Sequence, residues 1–330
     1  MRATGRGGAW LAPLRIGGEF LISLLVASLV VFALLSLLPG DLAQVMLGTE
    51  ADPQAAAALR TRLGLDRPFL VRYGQWLSTL LRADLGTSVV TGQPIAPQIG
   101  ARLAVTGWLV GWAVVVALAV SLPAGMFAAV HRSRWSGFAV SAASQLLMSV
   151  PAFLAGILLI LGFAVTLGWL PAGGYVALTR DPLQWARHLV LPVCSLAVVQ
   201  AAVITRYVRS AFIDLLTEDH LRTARAAGWR LWPALWRHGL RNASISIVTV
   251  VGLQVSAMLV GAIVVEQVFV IPGLGSYLLD AVGQRDLVVV ADVIMVLVAL
   301  VLAIAFLVDL LVVVLDPRLR GGPSESGGRR

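Results

Sequence analysis

The chain of 330 residues contains no lysine, so its basic residues are all arginine. A phosphate-binding P-loop needs a lysine on the phosphates, and a Schiff-base enzyme needs one on the substrate carbonyl. Both kinds of site are therefore excluded from this chain. If the system uses ATP, another chain must hydrolyse it, and we expect neither a cofactor nor an enzymatic activity here.

Cysteine is nearly absent as well, and Cys194 has no partner in the chain for a disulfide. We interpret it as a small buried apolar residue more readily than as a reactive thiol. Asp292 and Asp309 lie about 25 Å apart on one predicted helix, which is too far for an aspartic dyad. The histidines lack metal-site spacing, and no metal is predicted; they are His131, His188, His220 and His238.

Charged residues make up only 13% of the chain, whereas 58% is hydrophobic and the mean hydropathy is +0.88. A soluble domain carries about 25% charge, so this composition indicates a membrane protein. We predict an all-α polytopic fold in which the first span is not cleaved and the third is long enough to indicate a tilt or a kink at Pro151. The six predicted transmembrane helices are residues 20–38, 103–130, 138–170, 189–208, 243–266 and 288–315.

The arginines indicate the orientation, because basic residues are retained in the cytoplasm when loops are short. An arrangement with both termini inside gives cytoplasmic segments 1–19, 131–137, 209–242 and 316–330, and extracytoplasmic segments 39–102, 171–188 and 267–287. It places fifteen arginines inside and nine outside. The net charge of +8 is then a topology signal, and no nucleic-acid partner is expected. Membrane lipid is the expected surrounding, in a plasma membrane.

The large outer loop, residues 39–102, has the pattern of a folded element. Asp52 and Pro53 supply a start signal for a helix that is predicted to end at Leu63, before Gly64. Apolar residues between 65 and 81 then recur at helical spacing. Two interpretations remain open, a platform for an external partner and a lid that stabilises the outer mouth.

The inner loop, residues 209–242, contains a polar, arginine-rich stretch between two apolar spans. Thr217 is predicted to cap a helix with Glu218 and Asp219 in its first turn, and Gly228 suits the left-handed position that ends it. A second helix is predicted to start at Pro233 in its first position. The pattern favours a docking element for a soluble partner; an amphipathic hairpin on lipid headgroups is the alternative.

Residues 222–228 read Arg-Thr-Ala-Arg-Ala-Ala-Gly, which resembles the inner-loop signature of permease subunits in bacterial ATP-binding-cassette importers. The Arg-Thr-Ala form is similar to that of the dipeptide and oligopeptide branch, in which this loop binds the ATPases. Other segments match the family in order and spacing, namely residues 39–41, 63–68, 84–88, 170–174 and 272–275. The large outer loop resembles that of the first of two paired permeases. Ala227 and His220 depart from the lysine and tyrosine usual in the family.

The resemblance implies a permease that forms half of a pathway for peptides. Its implied partners are a second homologous permease, one or two ABC ATPases that carry ATP and Mg²⁺, and an extracytoplasmic solute-binding protein. Nickel chelates, glutathione and oligosaccharides are alternative cargoes, and an ion-coupled secondary transporter is a more distant alternative. The residues expected at the ATPase contact are Glu218, Asp219, Arg222, Thr223, Ala224, Arg225, Gly228, His238 and Asn242. Arg206, Gln254 and Glu266 are candidates for the pathway or gate, or for structural anchors.

Overall fold

The computed structural model describes residues 11–37, 53–62, 66–219, 223 and 226–315. Eleven α-helices lie within this part of the chain. They are α1 (Leu11–Leu37), α2 (Pro53–Arg62), α3 (Phe69–Leu81), α4 (Ile95–Val130), α5 (Trp135–Met148), α6 (Ala152–Leu159), α7 (Pro182–Thr217), α8 (Leu231–Ala234), α9 (Leu240–Val268), α10 (Leu274–Gly283) and α11 (Leu287–Leu315). Two π-helical segments continue α6 and α8, at Ile160–Thr166 and Leu235–Gly239.

Five of these helices, α1, α4, α7, α9 and α11, are long and apolar enough to cross a membrane. A sixth span exists if α5 and α6 count together, but the two are bent by 101° at the break between them. The break lies between Met148 and Ala152, around Pro151, where the sequence predicted a kink in the span over 138–170. Pro151 precedes α6 in an extended conformation, with φ −61° and ψ 143°, because the proline ring fixes φ and supplies no N–H.

Several spans are longer than predicted. Helix α4 begins at Ile95 and not at 103, and α7 covers Pro182–Thr217 instead of 189–208. Asp181 starts α7, since its carboxylate accepts hydrogen bonds from the N–H groups of Leu183 and Gln184, both at 3.0 Å. Hydrophobicity marks the part of a helix that lies in hydrocarbon, whereas caps decide where the helix ends, so these helices extend past the predicted spans.

Helices α4 and α7 form the centre of the bundle and run in the same direction. Near their starts, the rings of Trp108 and Trp185 meet edge to face with centroids 5.5 Å apart. Near their ends, Gly125 lies against Val208, so closely that an added Cβ would fall 2.6 Å from the Val208 Cβ. Both helices therefore start on one face of the bundle, the α10 face, and end on the opposite face, the loop face, where the described residues between 218 and 239 lie.

Helices α9 and α11 pack beside this centre, and α1 lies at the periphery. Gly252 on α9 approaches the side chain of Val308 on α11. Helix α1 reaches α11 through Phe20 and Phe306, whose rings are 5.2 Å apart. Its other end contacts the aromatic side of α3, where the Phe32 ring lies 5.3 to 5.6 Å from three rings, those of Phe69, Tyr73 and Trp76.

Candidate coupling site

The first arm of the inner loop is a direct continuation of α7. The helix extends to Thr217, whose hydroxyl donates back to the carbonyl of Asp214 at 2.6 Å. Thr217 is therefore the last residue of α7 and not the cap of a new helix, so that prediction is wrong. The physical reason is burial, since Phe212 and Leu215 are covered by the second arm and keep this turn helical.

The chain leaves α7 at Glu218, whose backbone is extended with ψ 146°. The hydroxyl of Thr223 donates to the carbonyl of Asp219 at 2.9 Å, and the N–H of Ala227 donates to the carbonyl of Thr223 at 2.9 Å. Gly228 then has φ +90°, a conformation that L side chains rarely adopt. The left-handed turn predicted at Gly228 is confirmed. Four predicted or noted loop residues lie outside the described residues: His220, Arg222, Ala224 and Arg225.

The second arm begins earlier than predicted. Helix α8 spans Leu231–Ala234 with Arg230 preceding it, so Pro233 is at its third position and not its first. A proline is tolerated there, since no N–H in the first turn has an intrahelical partner. The π-helical segment 235–239 then leads directly into α9. His238 and Asn242 have helical backbones, and their side chains are outside the described part of the structure.

The two arms are held together by apolar contacts with the end of α7. A Cβ on Gly239 would lie 3.2 Å from the Phe212 ring, 3.6 Å from Leu235 and 3.8 Å from Leu215. Ala234 and Leu235 are fully buried in the same cluster. The loop is thus fixed to α7 at its first arm and to α9 at its second, while a Cβ added to Gly228 would meet no described atom within 4 Å.

The surface beside this turn is rich in tryptophan and arginine. The guanidinium of Arg237 lies over the ring of Trp229, 5.6 Å from its centroid. Trp232 and Trp236 are exposed on the same arm. Exposed aromatic rings and arginine side chains are typical of protein interfaces, so this face can receive a soluble partner.

The three candidates for a pathway or gate are far from equivalent. Arg206 is exposed on α7, with its guanidinium 5.9 Å from the Tyr207 ring, and Gln254 is half-buried on α9. Glu266, which was expected to be exposed at the outer end of its span, is fully buried. Its carboxylate accepts from the Thr106 hydroxyl at 2.6 Å and from the Ser276 N–H at 3.0 Å.

Glu266 thus acts as a cap for α10 that comes from another helix. Helix α10 has no capping side chain of its own at Gly273. The Thr106 hydroxyl accepts from the Leu274 N–H at 2.9 Å, and Glu266 accepts from the N–H two residues later. These bonds satisfy donors that a helix start leaves free, and a carboxylate there is also favoured by the helix dipole. Within this chain Glu266 is an anchor, one of the two roles the sequence left open.

A second anchor on the α10 face, Asp286, was not predicted from the sequence. Asp286 is buried and accepts from the Ser88 hydroxyl at 2.6 Å and from the Val289 N–H at 3.3 Å. It therefore caps α11 and holds the 84–94 turn of the outer loop against it. The signal available was an aspartate directly before an apolar run, which is a helix-start pattern. Its partner, 198 residues away, had no signal.

No group of three or more potential metal-ligating side chains occurs within the described ranges. The fold and the anchored loop define a class, an all-α polytopic membrane component with a loop fixed to two of its spans. The chain belongs to the family of binding-protein-dependent transport system inner membrane components, which residues 121–321 match. Residues 13–117 match the N-terminal part of such membrane components.

Similar proteins cover almost the whole chain. A peptide transport system permease protein of Brucella abortus is 40% identical over 297 residues, which is 90% of this chain and 95% of that protein. A glutathione transport system permease protein of Salmonella typhi is 39% identical over 298 residues, with 90% and 95% covered. Its counterpart in Escherichia coli O6:H1 is 40% identical over the same length.

These similarities confirm the recognition made from the inner-loop residues. The chain is a multi-pass permease of the bacterial inner membrane and the membrane component of an ABC importer. A transport system that depends on a binding protein also contains other subunits, so this permease works within an assembly.

Proposed function

We propose that this chain forms half of the translocation pathway of a peptide importer, paired with a second homologous permease. Two lines support peptides as the cargo. One set of relatives is named for peptide transport, and another for the transport of glutathione, which is itself a small peptide. Glutathione is accordingly the second candidate cargo. No feature of the described residues favours a nickel chelate or an oligosaccharide.

The orientation follows from the arginine distribution. With both termini inside, the loop face is cytoplasmic and the α10 face is external. The solute-binding protein then delivers cargo to the α10 face, and one or two ABC ATPases bind the loop face. ATP and Mg²⁺ belong to those ATPases, because this chain has no lysine for a P-loop.

The observation that carries the proposal is the attachment of the loop to the bundle. A Cβ added to Gly228 would meet no described atom within 4 Å, whereas both arms are joined through Phe212, Leu215 and Leu235 to the ends of α7 and α9. A push on the turn is therefore transmitted to two spans at once, since a close-packed apolar cluster deforms little. Helix α7 continues the motion to α4, its most extensive neighbour. ATPase closure would then move the spans around the pathway.

The test is ATP-dependent peptide uptake into proteoliposomes that contain both permeases, the ATPases and the binding protein. Gly228→Val is compared with Gly74→Val, since both glycines are free of neighbours but only Gly228 has a positive φ. Left-handed backbone costs a side chain about 1–2 kcal/mol. We expect Gly228→Val to reduce uptake and ATPase retention, and Gly74→Val to leave both near wild type. Uptake that needs an ion gradient and no ATP would refute the proposal in favour of a secondary transporter.

A further inference from the structure

A polar cleft opens on the α10 face, separate from the coupling loop. It has a volume of about 140 Å³ and lies between the start of α4, the 88–93 turn and α10. Ligand pockets usually measure about 300–1,000 Å³, so this cleft suits the end of a small molecule and not a whole one. Its lining includes Gln93, Gln98, Arg102, Tyr277 and Asp280.

Arg102 is held in a fixed position within this cleft. Its guanidinium lies over the face of the Tyr277 ring, 4.3 Å from the centroid, and the side chain is half-buried. Burial raises the pKa of Tyr277 above its ordinary value, so the ring stays neutral at physiological pH. Stacking of this kind orients the planar guanidinium and leaves the N–H groups at its edge available.

Those N–H groups have no acceptor within the described chain. Arg102 makes no hydrogen bond and no ion pair there, although two aspartates line the same cleft. Asp286 is already engaged by Ser88 and the start of α11. Asp280 lies exposed at the rim. A half-buried guanidinium with free donors is a preorganised site for a carboxylate, which it binds in a two-pronged geometry.

The remaining lining groups match a peptide better than a simple anion. Gln98 donates to the side-chain carbonyl of Gln93 at 2.8 Å, which leaves the Gln98 carbonyl and the Gln93 amide N–H groups for a ligand. Amide groups both donate and accept, as a peptide backbone does. Asp280 supplies a negative charge of the kind that an ammonium group requires, whereas a site for free anions would exclude it.

We infer that this cleft binds the carboxyl-terminal end of a peptide cargo, with Arg102 on the carboxylate and the glutamines on the adjoining peptide group. The inference rests on the proposed function, since it takes the α10 face as external and peptides as the cargo. Arg102 is then a binding residue, and Tyr277 is a positioning residue that acts through it. The site gives the permease a selectivity of its own, in addition to that of the binding protein.

The experiment uses the assembled transporter in lipid nanodiscs, without binding protein and without ATP. Saturation-transfer NMR reports the binding of two probes, dialanine and alanyl-alaninamide, which differ only in the carboxylate. We expect dialanine to bind and the amide to bind about tenfold more weakly, as for the loss of a hydrogen-bonded charge. Arg102→Gln should weaken the binding of dialanine to the same extent and remove the preference for dialanine over the amide. Arg180 is an exposed arginine on the same face, and Arg180→Gln should bind both probes as wild type does.

Two further variants protect the test from a folding defect. Arg102→Lys keeps the positive charge but loses the paired N–H donors of the planar guanidinium, so it should bind dialanine with intermediate strength. Tyr277→Ala removes the ring that orients the guanidinium, so it should weaken the binding of dialanine and leave the binding of the amide unaffected. This variant replaces Arg102→Gln in the test if Arg102→Gln does not fold.

Equal binding of the two probes, or equal binding by wild type and Arg102→Gln, would overturn the inference. The inference would also be overturned if dialanine did not bind and the solute-binding protein attached more weakly to Arg102→Gln. That result would show that Arg102 binds a carboxylate of the solute-binding protein and not one of the cargo. Because neither ATP nor uptake enters this measurement, its failure is distinguishable from a failure of the proposed importer function.

Discussion

Thr106 and Glu266 are 160 residues apart in the sequence, and their side chains form a buried hydrogen bond of 2.6 Å. Thr106 belongs to α4 and Glu266 to α9, and together they supply the N-terminal hydrogen-bond acceptors of α10. Three helices thus meet at one small polar network. Gly273 is required beside it, because a Cβ at that position would overlap the Glu266 carboxylate.

This network predicts the effect of removing one hydroxyl. Thr106→Val keeps the shape of the side chain but leaves the Leu274 N–H without an acceptor, and the Glu266 carboxylate keeps its bond from the Ser276 N–H but loses its hydroxyl donor. An unsatisfied buried group costs about 1–3 kcal/mol, so we expect a lower thermal unfolding temperature in detergent. Thr249→Val is the matched control, since its exposed hydroxyl bonds only within its own helix turn. Equal unfolding temperatures for the two variants would contradict the capping role.

The close approach of α4 and α7 predicts a size limit at Gly125. An added side chain would meet Val208 and the carbonyl of Thr205, the latter at 2.9 Å. Overpacking of this kind costs about 1–3 kcal/mol, so Gly125→Leu should lower the unfolding temperature. Gly111→Leu on the same helix has open space and should be tolerated.

A compensating change separates packing from other causes. Gly125→Ala should be destabilising alone and partly restored by Val208→Ala, which removes the opposing methyl groups. Additive effects of the two substitutions in a double-mutant cycle would show that the two positions are not in contact.

The sequence predicted those features that depend on local chemistry. Apolar runs indicated the spans, and the glycine at position 228 indicated the left-handed turn, because both signals lie within a few residues. The burial of Glu266 could not be predicted, since a glutamate at the end of a span is compatible with solvent or with a partner 160 residues away. The assignment of Thr217 failed for a related reason: capping residues also occur in last turns, and only the contact of Phe212 with the second arm extends α7 that far.

The hydrogen bonds of Asp286 predict that one carboxylate holds the 84–94 turn of the outer loop in place. Asp286 accepts from Ser88 and, at 3.4 Å, from the Val90 N–H. Asp286→Asn replaces one acceptor oxygen by an N–H₂ group, so these donors lose their charged partner. We expect faster amide hydrogen exchange across residues 86–94, measured by mass spectrometry on the purified protein. Asp280→Asn, at an exposed position nearby, is the control and should leave exchange unchanged. Unchanged exchange in Asp286→Asn would show that the turn is held by its backbone alone.

The contacts of Phe212 lead to a prediction about the coupling of ATP hydrolysis to transport. Its ring fills the space between the end of α7 and the second arm of the loop, against Gly239. Phe212→Ala removes that contact and leaves a cavity, at a cost of about 3–5 kcal/mol in a well-packed core. We expect the assembled transporter to bind its ATPases and hydrolyse ATP, while peptide uptake per ATP falls, because the turn at Gly228 can then move without moving α7.

The measurement is the ratio of peptide imported to ATP hydrolysed in proteoliposomes. Phe212→Leu keeps most of the volume and should retain most of the ratio. Phe138→Ala removes an exposed ring on α5 and should leave the ratio unchanged. If Phe212→Ala lowers ATP hydrolysis and uptake by the same factor, the ring only stabilises the loop. A selective fall in the ratio is expected only if the contact transmits the motion, since a loop that merely binds the ATPases would not need to be joined to α7.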